Sequence, residues 1–77
     1  MVHLVSLVEG DAPRIGERVV TDCLEESFSF QGTLWEESAP REFENRINST
    51  QDVCQKCRNI VLHTMLVAPD RLIAVRI

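Results

Sequence analysis

Residues 53–65, VCQKCRNIVLHTM, carry the clearest periodicity in this sequence and decide its fold. Apolar or small side chains recur at steps of one, three, three and one, which is the spacing of a single face of an α-helix. The residues of this face are Val53, Cys54, Cys57, Ile60 and Val61, followed by Thr64 or Met65. The order Ser-Thr-Gln-Asp from Ser49 resembles a capping box, so we predict that this helix begins there and ends near residue 65.

A second helical segment precedes this one. Pro40 suits the first turn of a helix, where its missing N–H is not needed, and Phe43 and Ile47 lie four residues apart on one face. Together the two segments predict a helical layer from about residue 40 to 65. Residues 61–67 are also rich in β-branched side chains, which favour strands. The alternative there is a strand that Pro69 and Asp70 turn into a terminal hairpin.

Four stretches have the composition of β-strands: residues 2–8, 17–21, 27–36 and 71–77. Phe28 and Phe30 alternate with serines, and Gly32 permits the positive φ of a tight turn. We therefore predict a hairpin in which Trp35 returns beside the two phenylalanines. The whole pattern predicts an α+β fold, with a small mixed or antiparallel sheet of three to five strands and one main helical layer, about 40–65, packed on one face.

The second face of this sheet needs a cover. Residues 2–8 and 71–77 are apolar on both sides, as expected of strands that are buried on both faces. One helical layer covers only one of those faces. We therefore expect the other to contact another protein, or a second copy of the chain in a homodimer.

The size and composition of the chain limit what it can be. Its 77 residues are 44% hydrophobic and 26% charged, so we expect a single globular domain over residues 1–77. No apolar run approaches the roughly 20 residues needed to cross a bilayer, and no membrane partner is expected. The amino terminus lacks a basic segment and a small-residue cleavage site, and the cysteine count is odd. Both features favour a cytoplasmic location.

The net charge of −4 is concentrated in the middle of the chain. Residues 22–44 carry seven acidic side chains against Arg41 alone. This charge repels phosphate backbones, so direct nucleic-acid binding is not expected, whereas a basic protein surface would be attracted. The alternative is a solvated acidic face that only keeps the domain soluble. The residues expected to contact a basic partner are Glu25, Glu26, Glu36, Glu37, Glu42 and Glu44.

The Cys54-x-x-Cys57 motif is the most chemically specific feature of the sequence. Two cysteines at this spacing can bind one zinc ion or form a redox disulfide. The second close pair of ligands that is typical of zinc ribbons is missing. Both cysteines lie on the apolar face of the predicted helix, so we favour plain core packing, with no metal and no cofactor. If zinc is bound, the predicted ligands are Cys23, Cys54, Cys57 and His63, with His3 as the other candidate.

The sequence contains no pattern that indicates an enzyme. Its three glycines lie apart, at positions 10, 16 and 32, and form no phosphate-binding loop, and so small a chain rarely encloses a substrate pocket. We therefore interpret it as a non-enzymatic protein–protein interaction module, such as an adaptor, an inhibitor or a regulatory subunit. The alternative is a small zinc-stabilised or thiol-redox domain that uses Cys54 and Cys57.

Overall fold

The computed structural model of the protein describes residues 1–7, 12–23, 27–63 and 69–77. Its strands are β1 (Val2–Leu7), β2 (Arg18–Val20), β3 (Ser27–Ser29), β4 (Trp35–Glu37) and β5 (Arg71–Arg76). Its helices are α1 (Phe43–Ser49), which follows a 3-10 turn (Pro40–Glu42), and α2 (Gln55–His63). The strand pairs among these residues are antiparallel. The predicted α+β class is therefore confirmed.

Strand β5 is the centre of the main sheet, whose strand order is β1-β5-β4. In the register of this sheet, Ala74 of β5 lies opposite Leu4 on one side and Trp35 on the other. Leu72 and Ala74 face the helices, whereas Ile73 and Val75 point to the opposite face, and all four side chains are buried. A strand that is apolar on both sides becomes central because only that position buries both of its faces.

The helices cover one face of the main sheet. We call the core on this face the helix-side cluster, and partly buried Trp35 packs against it. Its buried members are Val2, Leu4, Phe43, Ile47, Cys54, Cys57, Val61, Leu72 and Ala74. Among the described residues, no helix has the length and apolar character that crossing a membrane requires.

The other face of the sheet is covered by the chain itself. Strands β2 and β3 form a separate two-stranded ribbon in which Val19 lies opposite Phe28. This ribbon and the residue after it supply the side chains that bury the second face of β1 and β5. The cluster consists of Val5, Phe30, Ile73 and Val75, with Leu7, Val19 and Phe28 packed against it. The apolar second face therefore does not require a second copy of the chain, which was the reason for expecting a homodimer.

The predicted hairpin between the phenylalanines and Trp35 is wrong. Strand β3 pairs with β2, and β4 pairs with β5, so Phe28 and Trp35 belong to different clusters on opposite faces of the sheet. Gly32 does have a positive φ of 114°, but it lies in a connection between the two sheets. Alternation of apolar residues indicates a strand without specifying the strand with which it pairs.

The capping box predicted at Ser49 is also wrong. Ser49 is the last residue of α1, and its hydroxyl donates a hydrogen bond of 2.7 Å to the carbonyl oxygen of Asn45. Thr50 makes the same contact with the carbonyl oxygen of Arg46. These side chains satisfy the end of α1 instead of starting a helix. Helix α2 begins later, at Gln55, and includes residues 61–63; residues 64–67, which could be helix or strand by sequence, lie outside the described residues.

Candidate metal centre

The outer edge of β1, away from β5, is where two segments of the chain bring cysteines together. The first is residues 52–54. The Val2 amide donates a hydrogen bond of 2.8 Å to the Asp52 carbonyl oxygen, and the Val2 carbonyl oxygen accepts one of 2.7 Å from the Cys54 amide. Asp52 has a φ of 63°, and this left-handed turn directs the chain from the strand edge into α2. The carbonyl oxygen of Cys54 then accepts a hydrogen bond of 3.0 Å from Arg58, so the Cys54-x-x-Cys57 motif forms the start of α2.

The second segment, residues 21–23, docks on the same edge two residues further along. The Asp22 amide donates a hydrogen bond of 2.8 Å to the Leu4 carbonyl oxygen. The Asp22 carboxylate accepts two hydrogen bonds from Ser6, one of 2.8 Å from the amide and one of 2.6 Å from the hydroxyl. Burial raises the pKa of the Asp22 carboxyl, and the hydrogen bonds from Ser6 oppose that rise. These bonds hold the turn that carries Cys23 against β1.

The two segments converge on His3, between Val2 and Leu4 of β1. Its Nδ1 atom lies 3.7 Å from the Cys23 Sγ and 3.7 Å from the Cys57 Sγ. The four ligand atoms of His3, Cys23, Cys54 and Cys57 all lie within 4.8 Å of one another. We call this group the Cys/His cluster. His3, Cys54 and Cys57 are buried, and Cys23 is partly buried.

The dimensions of the Cys/His cluster suit a tetrahedral zinc ion. Zinc bound to sulfur at about 2.3 Å and to nitrogen at about 2.0 Å holds its sulfur ligands roughly 3.8 Å apart and a nitrogen roughly 3.6 Å from each sulfur. The two Nδ1–Sγ distances of 3.7 Å already match. The largest separation, at most 4.8 Å, would close by about 1 Å on metal binding. Thiolate and imidazole together are ligands that favour zinc over hard cations such as Mg²⁺.

Without a cation, burial favours the protonated form of the Cys57 thiol. All three cysteines are free, and burial raises the pKa of Cys57 to about 12. The Cys57 thiol points toward the Leu4 carbonyl oxygen, with a sulfur–oxygen distance of 3.9 Å. A bound divalent cation reverses this preference, because it stabilises the thiolates that burial alone destabilises.

Three of the four predicted zinc ligands are brought together, and His63 is not among them. His63 is exposed at the last described position of α2 and lines a surface groove of about 450 Å³ with Arg41, Phe43 and Arg58. The fourth member of the cluster is instead His3. The sequence signal for His3 was its position in a largely apolar strand, where a buried imidazole needs a polar partner.

The predicted acidic binding residues are spread over several elements, and some make contacts within the chain. Glu36 lies 3.7 Å from Arg71, and Glu37 lies 3.6 Å from Arg46. Glu37 also accepts hydrogen bonds from the amides of residues 38 and 39, which gives it a structural role at the end of β4.

The other members of the acidic set differ in their surroundings. Glu42 in the 3-10 turn accepts a hydrogen bond from Asn45, and exposed Glu44 lines the groove beside His63. Glu25 and Glu26 lie outside the described residues. The described members of the acidic set therefore lie on β4, in the 3-10 turn and on α1, and each has different contacts.

No protein-family model, curated protein or solved structure matches this chain. The Cys/His cluster is therefore the feature from which a function is inferred.

Proposed function

We propose that this chain is a small zinc-stabilised domain whose metal is held by His3, Cys23, Cys54 and Cys57. The observation that carries the proposal is the convergence of one imidazole nitrogen and three sulfur atoms within 4.8 Å. These residues come from three separate segments: β1, the turn at residues 21–23, and the start of α2. A metal ion there would link the first strand to both segments that cover its edge.

The proposed zinc is structural and not catalytic. Structural sites have four protein ligands, whereas catalytic zinc keeps a position open for water or substrate. The Cys/His cluster offers four protein ligands, three of them buried. A structural metal also suits the size of the chain, because the core of so small a domain supplies only ~3–5 kcal/mol of net stability.

The burial of the cysteine pair favours zinc over a thiol-redox function. Redox-active cysteines are accessible to their substrates and have a stabilised thiolate. Cys57 is fully buried and Cys54 nearly so. A partner disulfide would have difficulty in reaching either sulfur.

For the biological role, we retain the proposal of a non-enzymatic interaction module that acts in the cytoplasm. A closed zinc site supplies folding stability and leaves no open position for a substrate, which is compatible with an adaptor or an inhibitor. Exposed Glu36, Glu42 and Glu44 lie along β4, the 3-10 turn and the start of α1, and support a basic protein as the partner. Salt-dependent binding to that partner would follow from this charge, and binding unaffected by salt would contradict it.

The zinc proposal is tested by metal analysis of purified protein. We expect one zinc per chain, and we expect Cys54→Ser and His3→Asn to lose it. His63→Asn is the matched control, because this exposed histidine lies outside the cluster. Absence of zinc after reconstitution under reducing conditions would refute the proposal. Loss of zinc in His63→Asn, with retention in His3→Asn, would refute the assigned ligand set.

A further inference from the structure

A hydroxyl group lies beside the Cys/His cluster. Thr21 is completely buried, and its Oγ1 lies 3.1 Å from the Cys23 Sγ. We propose that the Thr21 hydroxyl is a positioning group of the metal site, which donates a hydrogen bond to the Cys23 thiolate and raises the affinity for zinc. This inference rests on the proposed zinc site and assigns a residue outside the four ligands.

The direction of the hydrogen bond follows from the protonation state of the metal-bound sulfur. A thiol and a hydroxyl can each donate to the other. A zinc-bound thiolate has no proton, so in the loaded site only the Thr21 hydroxyl can donate. Within the described parts of the chain, the Cys23 sulfur is the one hydrogen-bond partner found for this hydroxyl. Burying a hydroxyl without a hydrogen-bond partner costs folding free energy. The Thr21 hydroxyl should therefore stay directed at the Cys23 sulfur.

The charge of the site explains why this donor matters. Zinc with three thiolates and one neutral imidazole carries roughly one unit of net negative charge. Three of the four ligands are buried, and water can solvate little of this charge. A hydroxyl dipole directed at one thiolate supplies part of the missing solvation, as outer-shell hydrogen bonds do in other metal sites.

Thr21 and Asp22 act on different parts of the Cys23 turn. Asp22 fixes the backbone of the turn to β1 through Leu4 and Ser6. Thr21 instead contacts the ligand sulfur directly. Substitution of Thr21 therefore tests the electrostatic role of the hydroxyl while the backbone contacts of the turn remain.

The experiment compares Thr21→Val, which has nearly the same shape without the hydroxyl, with Thr21→Ser, which keeps it. Zinc affinity is measured by competition with a chelator, and Co²⁺ is used as a spectroscopic probe of the same site. We expect Thr21→Val to bind zinc about 10–100-fold more weakly than the wild type, and Thr21→Ser to stay close to the wild type. The thiolate-to-cobalt absorption band should move to longer wavelength in Thr21→Val, because a thiolate without its donor releases an electron more easily.

Two results would overturn the role of Thr21 while leaving the zinc site intact. One is wild-type zinc affinity and an unshifted cobalt band in Thr21→Val. The other is an equal loss of affinity in Thr21→Val and Thr21→Ser, which would indicate packing and not the hydroxyl. If Thr21→Val does not fold, Thr21→Ala removes the same hydroxyl with a smaller side chain. Failure of the wild-type chain to bind either metal would instead overturn the zinc site and this inference together.

Discussion

Removal of zinc should lower the thermal stability of this domain by an easily measured amount. The ion would join β1, the turn at residues 21–23 and the start of α2, in addition to the hydrogen bonds and core packing that already hold these segments against the strand. A ligand at a free concentration 100-fold above its dissociation constant stabilises the folded state by about 2.7 kcal/mol. In a domain of this size, each kcal/mol shifts Tm by roughly 4–8 °C, so chelation should lower Tm by ~10–20 °C.

The assay is a thermal melt followed by circular dichroism, first with a chelator and then after stoichiometric zinc is restored. The wild type and His63→Asn should recover their higher Tm with zinc. His3→Asn should melt at the lower temperature in both conditions, because it lacks one of the four ligands. Zinc binding should also release protons at neutral pH, since buried thiols must become thiolates. A wild-type Tm that neither chelator nor zinc changes would refute the structural role assigned to the metal.

Two further variants test contacts that support this arrangement. Ser6→Ala removes the 2.6 Å hydrogen bond to the Asp22 carboxylate and should cost about 1–2 kcal/mol at neutral pH. The Ser6 bonds favour the ionised carboxyl, so the loss should shrink as the pH falls and Asp22 is protonated; urea unfolding at pH 7 and pH 4 with an equal loss at both would contradict this. Leu72→Ala in the centre of β5 should cost about 2–5 kcal/mol in urea unfolding. Half-exposed Leu34 provides the control, because Leu34→Ala should cost far less, and similar losses would contradict the core assignment.

The elements that the sequence predicted well are those whose signal is local. The apolar character of residues 71–77 on both sides predicts a strand buried on both faces, and β5 is the centre of the sheet. The shared face of Phe43 and Ile47 likewise predicts α1, where both side chains are buried. Such patterns depend only on the geometry of a strand or helix.

The elements that were predicted wrongly depend on contacts between distant parts of the chain. Phe28 and Trp35 are seven residues apart, but β4 pairs with β5, which follows both helices. The predicted covering of the sheet by a partner failed for the same reason, since the ribbon of β2 and β3 has no sequence signal for the face it packs on. A short two-stranded ribbon has apolar residues on one side, and this pattern does not specify the surface on which the ribbon packs.

The sequence predicted the three cysteines of the candidate site but chose the wrong histidine as the fourth ligand. Cys54 and Cys57 were identified because a spacing of three residues places two sulfur atoms near one ion. Cys23 was included only as one of few remaining candidates. His3 replaces His63 because the first strand lies beside the start of α2, and a parallel bridge between Val2 and Val53 establishes that contact. A contact between residues that lie about fifty positions apart, such as Val2 and Val53, leaves no local pattern in the sequence.

The covering of the β1 edge also has a consequence for aggregation. An open strand edge is a template on which another chain can add a strand. The opposite edge of the sheet, β4, is short and contains Glu36 and Glu37, two features that disfavour strand addition. Strand β1 has six residues, is largely buried, and is closed by residues 52–54 and Asp22. Metal release that loosens these segments would uncover the longer and more apolar edge, so the metal-free protein should be more prone to self-association through β1.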